Sequence, residues 1–259
     1  MNLVVEGKAA FAYTAAHELD SKKPTMVFVH GAGLDHSLFG LQSRYFGYHG
    51  WNVLAIDLPG HGRSAGPPVA SIGGMADWLF LLLDTLKIQK ASLVGHSMGA
   101  LVALDCAARQ PSRIEKIALL GVAYPMKVSE AFLDAARRND HAAYDMETIW
   151  GHAAQVPLGA NPNPGMWMYG DALARLRRLA PGVLYSDLNA CNGYRLDGNV
   201  GCPVLFVLGK RDVMTPPKMA ADLQKSLPAS KTVSIAPSGH SLMAEAPDAT
   251  LDALIGFFS

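Results

Sequence analysis

The chain has 259 residues, half of them hydrophobic and only 17% charged, a composition with ample apolar surface for a buried core and none of the marks of disorder. Lysine plus arginine equals aspartate plus glutamate at 22 each, which excludes a basic nucleic-acid footprint or an acidic tail and points to a small, weakly charged partner molecule. The longest apolar stretch, Trp78 to Leu83, is far too short to span a bilayer, which takes about 20 residues.

Along the chain, short apolar or β-branched runs recur at 25–30 (TMVFVH), 52–58 (NVLAIDL), 91–97 (ASLVGHS), 116–123 (KIALLGVA), 203–209 (PVLFVLG) and 231–236 (KTVSIA). Each predicts a strand buried on both faces. Between them lie helix-length patterns at 37–49, 74–88, 99–110 (stopped by Pro111) and 217–227 (stopped by Pro228). The alternation predicts an α/β fold, a mostly parallel central sheet with helices on both faces. Residues 3–18 add one or two antiparallel edge strands. From about 124 to 199 the alternation stops: helix-like stretches at 130–139 and 171–179 surround the loop NPNPG at 161–165. The expected organisation is a core of 1–123 and 200–259 with an inserted helical lid of 124–199.

Cys106, Cys191 and Cys202 are odd in number and show no C-x-x-C spacing, so neither a disulfide framework nor a zinc site is indicated, and a reduced, cytoplasmic setting is expected. The start MNLVVEGKAA lacks the charged lead and long apolar run of a secretory signal.

Chemistry concentrates where the strand ASLVGHS runs into Gly95-His96-Ser97-Met98-Gly99 and then the apolar helix ALVALDCAARQ. This is the strand-turn-helix context of a G-x-S-x-G nucleophile elbow, in which the flanking glycines remove side chains that would collide as strand and helix close up. A serine hydroxyl is a weak nucleophile and needs a base, itself held by a carboxylate. Asp212, in GKRDVMTP past one strand, and His240, in APSGHSLMAEAP past the last, open at the same sheet edge as Ser97. Their chain order is Ser, Asp, His.

With these residues in place the chain resembles the α/β-hydrolase family over nearly its whole length outside the lid. The resemblance rests on His30-Gly31-Ala32-Gly33, on Asp57-Leu58-Pro59-Gly60-His61-Gly62-Arg63-Ser64, on Gly95 to Gly99, on Gly209 to Asp212 with Thr215-Pro216, and on Gly239-His240. It implies an oxyanion hole from the backbone N–H of Met98 and of Ala32, with Gly33 as the alternative. It implies no metal or organic cofactor. His30, His61 and His96 read as hydrogen-bonding structural residues within those motifs. Asp57 reads as a tie on its loop, and Asp84 and Asp105 as solvated helix faces.

The lid concentrates Trp150, Met166, Trp167 and Met168, and Met98, Met214 and Leu242 flank the three catalytic candidates. Together they predict an apolar substrate pocket of Trp150, Trp167, Met168, Met214 and Leu242. The expected activity is hydrolysis of a small or medium apolar carboxylic ester or related carbonyl compound through an acyl-enzyme on Ser97. The alternatives are an enol-lactonase or carbon-carbon bond hydrolase, a thioesterase, and a ligand receptor that keeps the fold. Epoxide hydrolases and haloalkane dehalogenases resemble the chain but carry Asp at the nucleophile position. A perhydrolase is disfavoured because HGAGLD lacks the proline usual in that loop.

Overall fold

In the computed structural model, which describes residues 1–156 and 167–259, two N-terminal strands, β1 (Asn2–Val5) and β2 (Lys8–Tyr13), form the antiparallel edge of an eight-stranded sheet. The other six follow the apolar runs: β3 (Thr25–Val29), β4 (Asn52–Asp57), β5 (Ala91–His96), β6 (Ile114–Leu120), β7 (Val204–Gly209) and β8 (Lys231–Ile235). Of these, β8 is not buried on both faces as expected, because it closes the sheet as an edge strand and most of its side chains are exposed. They pair in parallel, and the spatial order is β1-β2-β4-β3-β5-β6-β7-β8. The loop 161–165 and Met166 lie outside the described residues.

Strand periodicity divides the core. Val27, Val29, Leu54 and Ile56 pack on one face, Met26, Phe28, Val53 and Ala55 on the other, because successive side chains point to opposite sides of a pleated strand. The first face is covered by α2 (Ile72–Thr85) and α3 (Met98–Arg109), through residues such as Leu79, Leu83, Leu101 and Leu104. The second is covered by α1 (Gly40–Tyr48) and the C-terminal helix Pro247–Phe258, through Phe46, Leu254 and Phe258. Within α3, Asp105 departs from expectation: it is buried, not a solvated face, and Arg109 one turn later donates to its Oδ2 at 3.1 Å. Asp84 is exposed and holds Arg113 at 2.7 Å.

Among the described residues, four helices are inserted between β6 and β7: α4 (Glu130–Arg137), α5 (His141–Trp150), α6 (Met168–Leu176) and α7 (Val183–Gly193). Among the described residues of 124–199 there is no strand. Two of the four, α4 and α6, coincide with the helix-like stretches of the sequence. The other two carry polar residues on their inward faces, Glu147 and Thr148 on α5 and Asp187 on α7, so no clean apolar stripe announces them. Asp140 and Ser129 cap α5 and α4 by accepting from Ala142 N and Phe132 N.

Past β7 the chain enters α8 (Ala221–Ser226), and past β8 the short α9 (Leu242–Glu245), which leads into the C-terminal helix, α10. Every parallel strand therefore ends at the same sheet edge, where ligands gather in open α/β sheets.

Candidate active site

Ser97 sits at the junction of β5 and α3 with φ 53° and ψ −112°, a conformation sparsely populated by non-glycine residues and held here by its surroundings. Its N–H donates to Leu120 O across the sheet at 2.9 Å. The two flanking glycines are required by contact: a Cβ on Gly95 would fall 2.1 Å from Gly99 O, and one on Gly99 would fall 2.1 Å from Val29 O. Both distances are far inside van der Waals contact.

Asp212 and His240 meet as the sequence predicts. His240 Nδ1 lies 2.8 Å from Asp212 Oδ2. The carboxylate is over-determined: Oδ1 accepts from Met214 N at 2.9 Å and Thr215 N at 2.7 Å, and Oδ2 also accepts from the Thr215 hydroxyl at 2.7 Å. Burial opposes its ionisation, but the charge of His240 and these hydrogen bonds outweigh burial and bring Asp212 down to about 2. For His240, burial favours the neutral ring, and the Asp212 carboxylate overrides it to raise the basicity of the imidazole. With Nδ1–H committed to Asp212, the other nitrogen, Nε2, is the one that can take a proton. It is buried and has no hydrogen-bond partner among the described residues.

The elbow and the histidine loop are in contact. The rings of His96 and His240 stand 4.6 Å apart, and His96 Nε2–H donates to His240 O at 3.0 Å. Burial, then the nearby His240, takes His96 down to about 3, so it is neutral. Glu245 braces the same loop, its Oε2 accepting from Gly239 N and from Ala153 N, each at 3.0 Å.

The loop after β3 approaches Ser97 from the other side. Ala32 lines the same cavity as Ser97, whereas Gly33 N–H is spent on Asp187 Oδ2 at 2.9 Å. Of the two loop donors considered, the uncommitted position is Ala32. Met98 is fully buried at the first turn of α3. The motif histidines are engaged in hydrogen bonds within the fold. His30 donates from Nδ1 to Gly31 O at 2.8 Å and accepts from Leu58 N at 3.1 Å. Asp57 ties its loop by accepting from Arg63 N and His36 N.

His61 faces two acceptors, Pro59 O at 3.1 Å and Asp187 Oδ2 at 2.8 Å. Burial disfavours its charge, but the Asp187 carboxylate prevails and raises its basicity. Asp187 thus joins α7 to the loops after β3 and β4 through one oxygen. Breaking a buried pair leaves an uncompensated group, at a cost of about 3–5 kcal/mol. Asp187→Ala is expected to lower stability on that scale, as read by urea denaturation. Because the folded state raises the pKa of His61, this contribution is fully present below pH about 6.5 and is lost as pH rises through the folded value. The deficit of the variant is therefore largest in acid.

Ser97 and Ala32 open on a cavity of about 360 Å³. Its walls come from the insertion (Met126, Val128, Phe132, Trp150, Leu188 and Cys191) and from the loop after β7 (Val213, Met214 and Thr215). Of the five predicted pocket residues, Trp150 and Met214 line it and three do not. Trp167 is 78% exposed. Met168 faces a second cavity beside Leu34, His152 and Met243. Leu242 is packed into the core under the sheet. The helical turn that starts at Met168 directs that side chain away from the serine, and Leu242 begins α9 pointing inward; neither direction is readable from proximity in sequence.

Residues that sequence reasoning left out are Thr215 as a ligand of Asp212, Asp187, Glu245, and Glu147 within the cavity wall. Only Thr215 left a readable signal, since a threonine three residues after an aspartate in DVMT suits a turn closed by side-chain bonds.

A family model described as "Alpha/beta hydrolase family" matches residues 26–253. A pimeloyl-[acyl-carrier protein] methyl ester esterase of Neisseria meningitidis serogroup C is 29% identical over 205 residues, 73% of this chain and 76% of that protein. Among solved structures, the enol-lactonase of Burkholderia xenovorans LB400 superposes with a TM-score of 0.84 at 22% identity over 99% of both chains. An N-acyl homoserine lactone degrading enzyme gives 0.83 at 20% identity over 99% of this chain and 100% of that one. These likenesses carry the fold, and with the family match over most of its length the chain belongs to the alpha/beta hydrolase family.

Proposed function

We propose that the protein is a serine hydrolase that cleaves a small or medium carboxylic ester through an acyl-enzyme on Ser97. The observation that carries this reading is the ordered His240–Asp212–Thr215 cluster, with an unpartnered imidazole nitrogen, at the sheet edge where Ser97 is presented on its strained turn. His240 Nε2 takes the hydroxyl proton as Ser97 Oγ bonds to the ester carbon. The oxyanion so formed is held by the N–H groups of Met98 and Ala32, and the helix N-terminus below favours the charge. The carbon–oxygen ester bond breaks, the alcohol leaves with the proton from His240, and water repeats the cycle on the acyl group. Asp212 stabilises the imidazolium at both stages.

Similarity to a relative named as a methyl ester esterase supports an ester over an amide. The cavity volume, near the lower end of the ~300–1,000 Å³ typical of small-molecule sites, supports a small or medium substrate. In this reading residues 124–199 form a cap on a core of 1–123 and 200–259, and the cap helices set the size of substrate admitted.

The test is a chain-length series of p-nitrophenyl esters together with labelling by a fluorophosphonate. The expected result is activity that peaks at short or medium acyl chains and one covalent adduct on Ser97. Hydrolysis without labelling of Ser97, or labelling without hydrolysis of any ester, overturns the assignment.

A further inference from the structure

Among the described residues, Glu147 is the one carboxyl lining the cavity that holds Ser97. It lies on α5 and shares the cavity wall with Phe132, Trp150, Leu188 and Cys191, and its Oε2 is buried with no hydrogen-bond partner among the described residues. A buried, unpaired carboxyl oxygen is costly, and a hydrophobic side chain of similar size would fill the wall without that cost. The charged neighbours do not relieve it. His240, from the loop after β8, offers distant attraction, while Asp187 on α7 adds repulsion. Lys127, exposed on the rim before α4, makes no ion pair with it.

We propose that Glu147 selects the substrate, by receiving a hydrogen-bond donor, a hydroxyl or an amine, carried on the ester at a position away from the scissile bond. The proposal rests on the ester-hydrolase reading of Ser97 and replaces a wholly apolar pocket with a largely apolar one in which, apart from Lys127, Ser129 and Thr215 on the same wall, a buried carboxyl is the anchor. Such a layout is the usual form of a specific small-molecule site: greasy walls, with a few placed polar groups to fix orientation. Burial, opposed by His240 and reinforced by Asp187, pushes the Glu147 carboxyl up to about 7. A neutral carboxylic acid below that pH, and a carboxylate above it, both accept from a hydroxyl. Only the carboxylate pairs well with an ammonium group.

The experiment compares kcat/KM for two matched sets of esters. One set is ethyl esters of C6 to C8 acids that are unsubstituted, ω-hydroxyl or ω-amino. The other is butyrate esters of alcohols varied in the same way. The set that responds shows on which side of the scissile bond the anchor lies. Within a set, the role of His240 as base is common to every member, and the change in the ratio between wild type and Glu147 variants isolates Glu147 from the other groups on the cavity. A hydrogen bond to a charged group supports a preference of about tenfold or more for the donor-bearing ester. In Glu147→Leu that ratio is expected to fall to one or below. Glu147→Gln is expected to keep part of the hydroxyl preference and none of the ammonium preference. If the anchor is used by an amine, its preference grows as pH rises through about 7, and if by a hydroxyl, it persists on both sides.

Both variants remove a carboxyl whose pKa is raised in the folded state. Its penalty sets in as pH rises from its ordinary value, so both are expected to melt at or above the wild-type temperature at pH 8. A wild type that prefers the unsubstituted ester in both sets, or a preference that survives in Glu147→Leu, overturns the proposal and leaves the ester reading standing. A wild type that hydrolyses neither set overturns both.

Discussion

Ser97→Ala is expected to lower kcat on p-nitrophenyl esters by about 10⁵–10⁶-fold, the scale seen when a triad nucleophile is removed, with a melting curve that overlays the wild type. The two halves of this result come from separate features. Loss of the hydroxyl removes the covalent route: of the other nucleophilic side chains on the cavity, Thr215 spends its hydroxyl on Asp212, and burial and the nearby Asp187 and Glu147 charges hold the Cys191 thiol protonated. The strained backbone at position 97 (φ 53°, ψ −112°) is set by the packing of Gly95 against Gly99 and of Gly99 against Val29, and alanine meets the same torsional cost as serine. Titration of residual activity against fluorophosphonate checks both: an unlabelled, folded variant retaining more than about a hundredth of the wild-type rate would place the chemistry elsewhere.

Asp212→Asn is expected to cost about 10⁴-fold in kcat, as for an amide that holds the histidine in the wrong tautomer. Its diagnostic lies in the pH profile. His240 must be neutral to act as a base, so wild-type kcat/KM rises with pH through the raised pKa of His240, above the ordinary value of 6.5. Burial pulls that pKa down, and the carboxylate of Asp212 holds it up. Removing the charge therefore moves the ascending limb to lower pH even as the plateau falls. Asp212 has a second, independent signature in stability. Its pKa is depressed from 3.8 to about 2 in the folded state, so its contribution is present above pH about 4 and is lost as pH falls through the folded value. Acid unfolding of the wild type below pH 4 should be steeper than that of the variant, as read by circular dichroism.

Thr215 is a positioning residue in this scheme. Its hydroxyl lies 2.7 Å from Asp212 Oδ2 and 3.0 Å from His240 Nδ1, and the donor it supplies fixes the carboxylate plane that in turn orients the ring. Together with Glu245 on the histidine loop, it explains why a base carried on a loop keeps a defined geometry.

Six parallel strands, an antiparallel N-terminal edge of one or two strands, the elbow and the Asp212–His240 pair were legible in the chain because each is governed by local rules. A strand buried on both faces must be a short apolar run, a tight strand-to-helix turn must carry small residues at fixed offsets, and catalytic loops must follow strand ends. Those constraints act over a few residues and leave their mark in order. The wall of the cavity obeys no such rule. Whether Trp150 or Trp167 faces Ser97 depends on how α5 and α6 lie on the sheet, and that is set by packing between segments distant in sequence. The same holds for Asp187, whose partners His61 and Gly33 are 126 and 154 residues away, and for Glu147, whose burial only the fold creates. Local steric and periodic constraints wrote the Ser97, Asp212 and His240 candidate site into the sequence; the long-range packing of the inserted helices decided the shape of the cavity beside it.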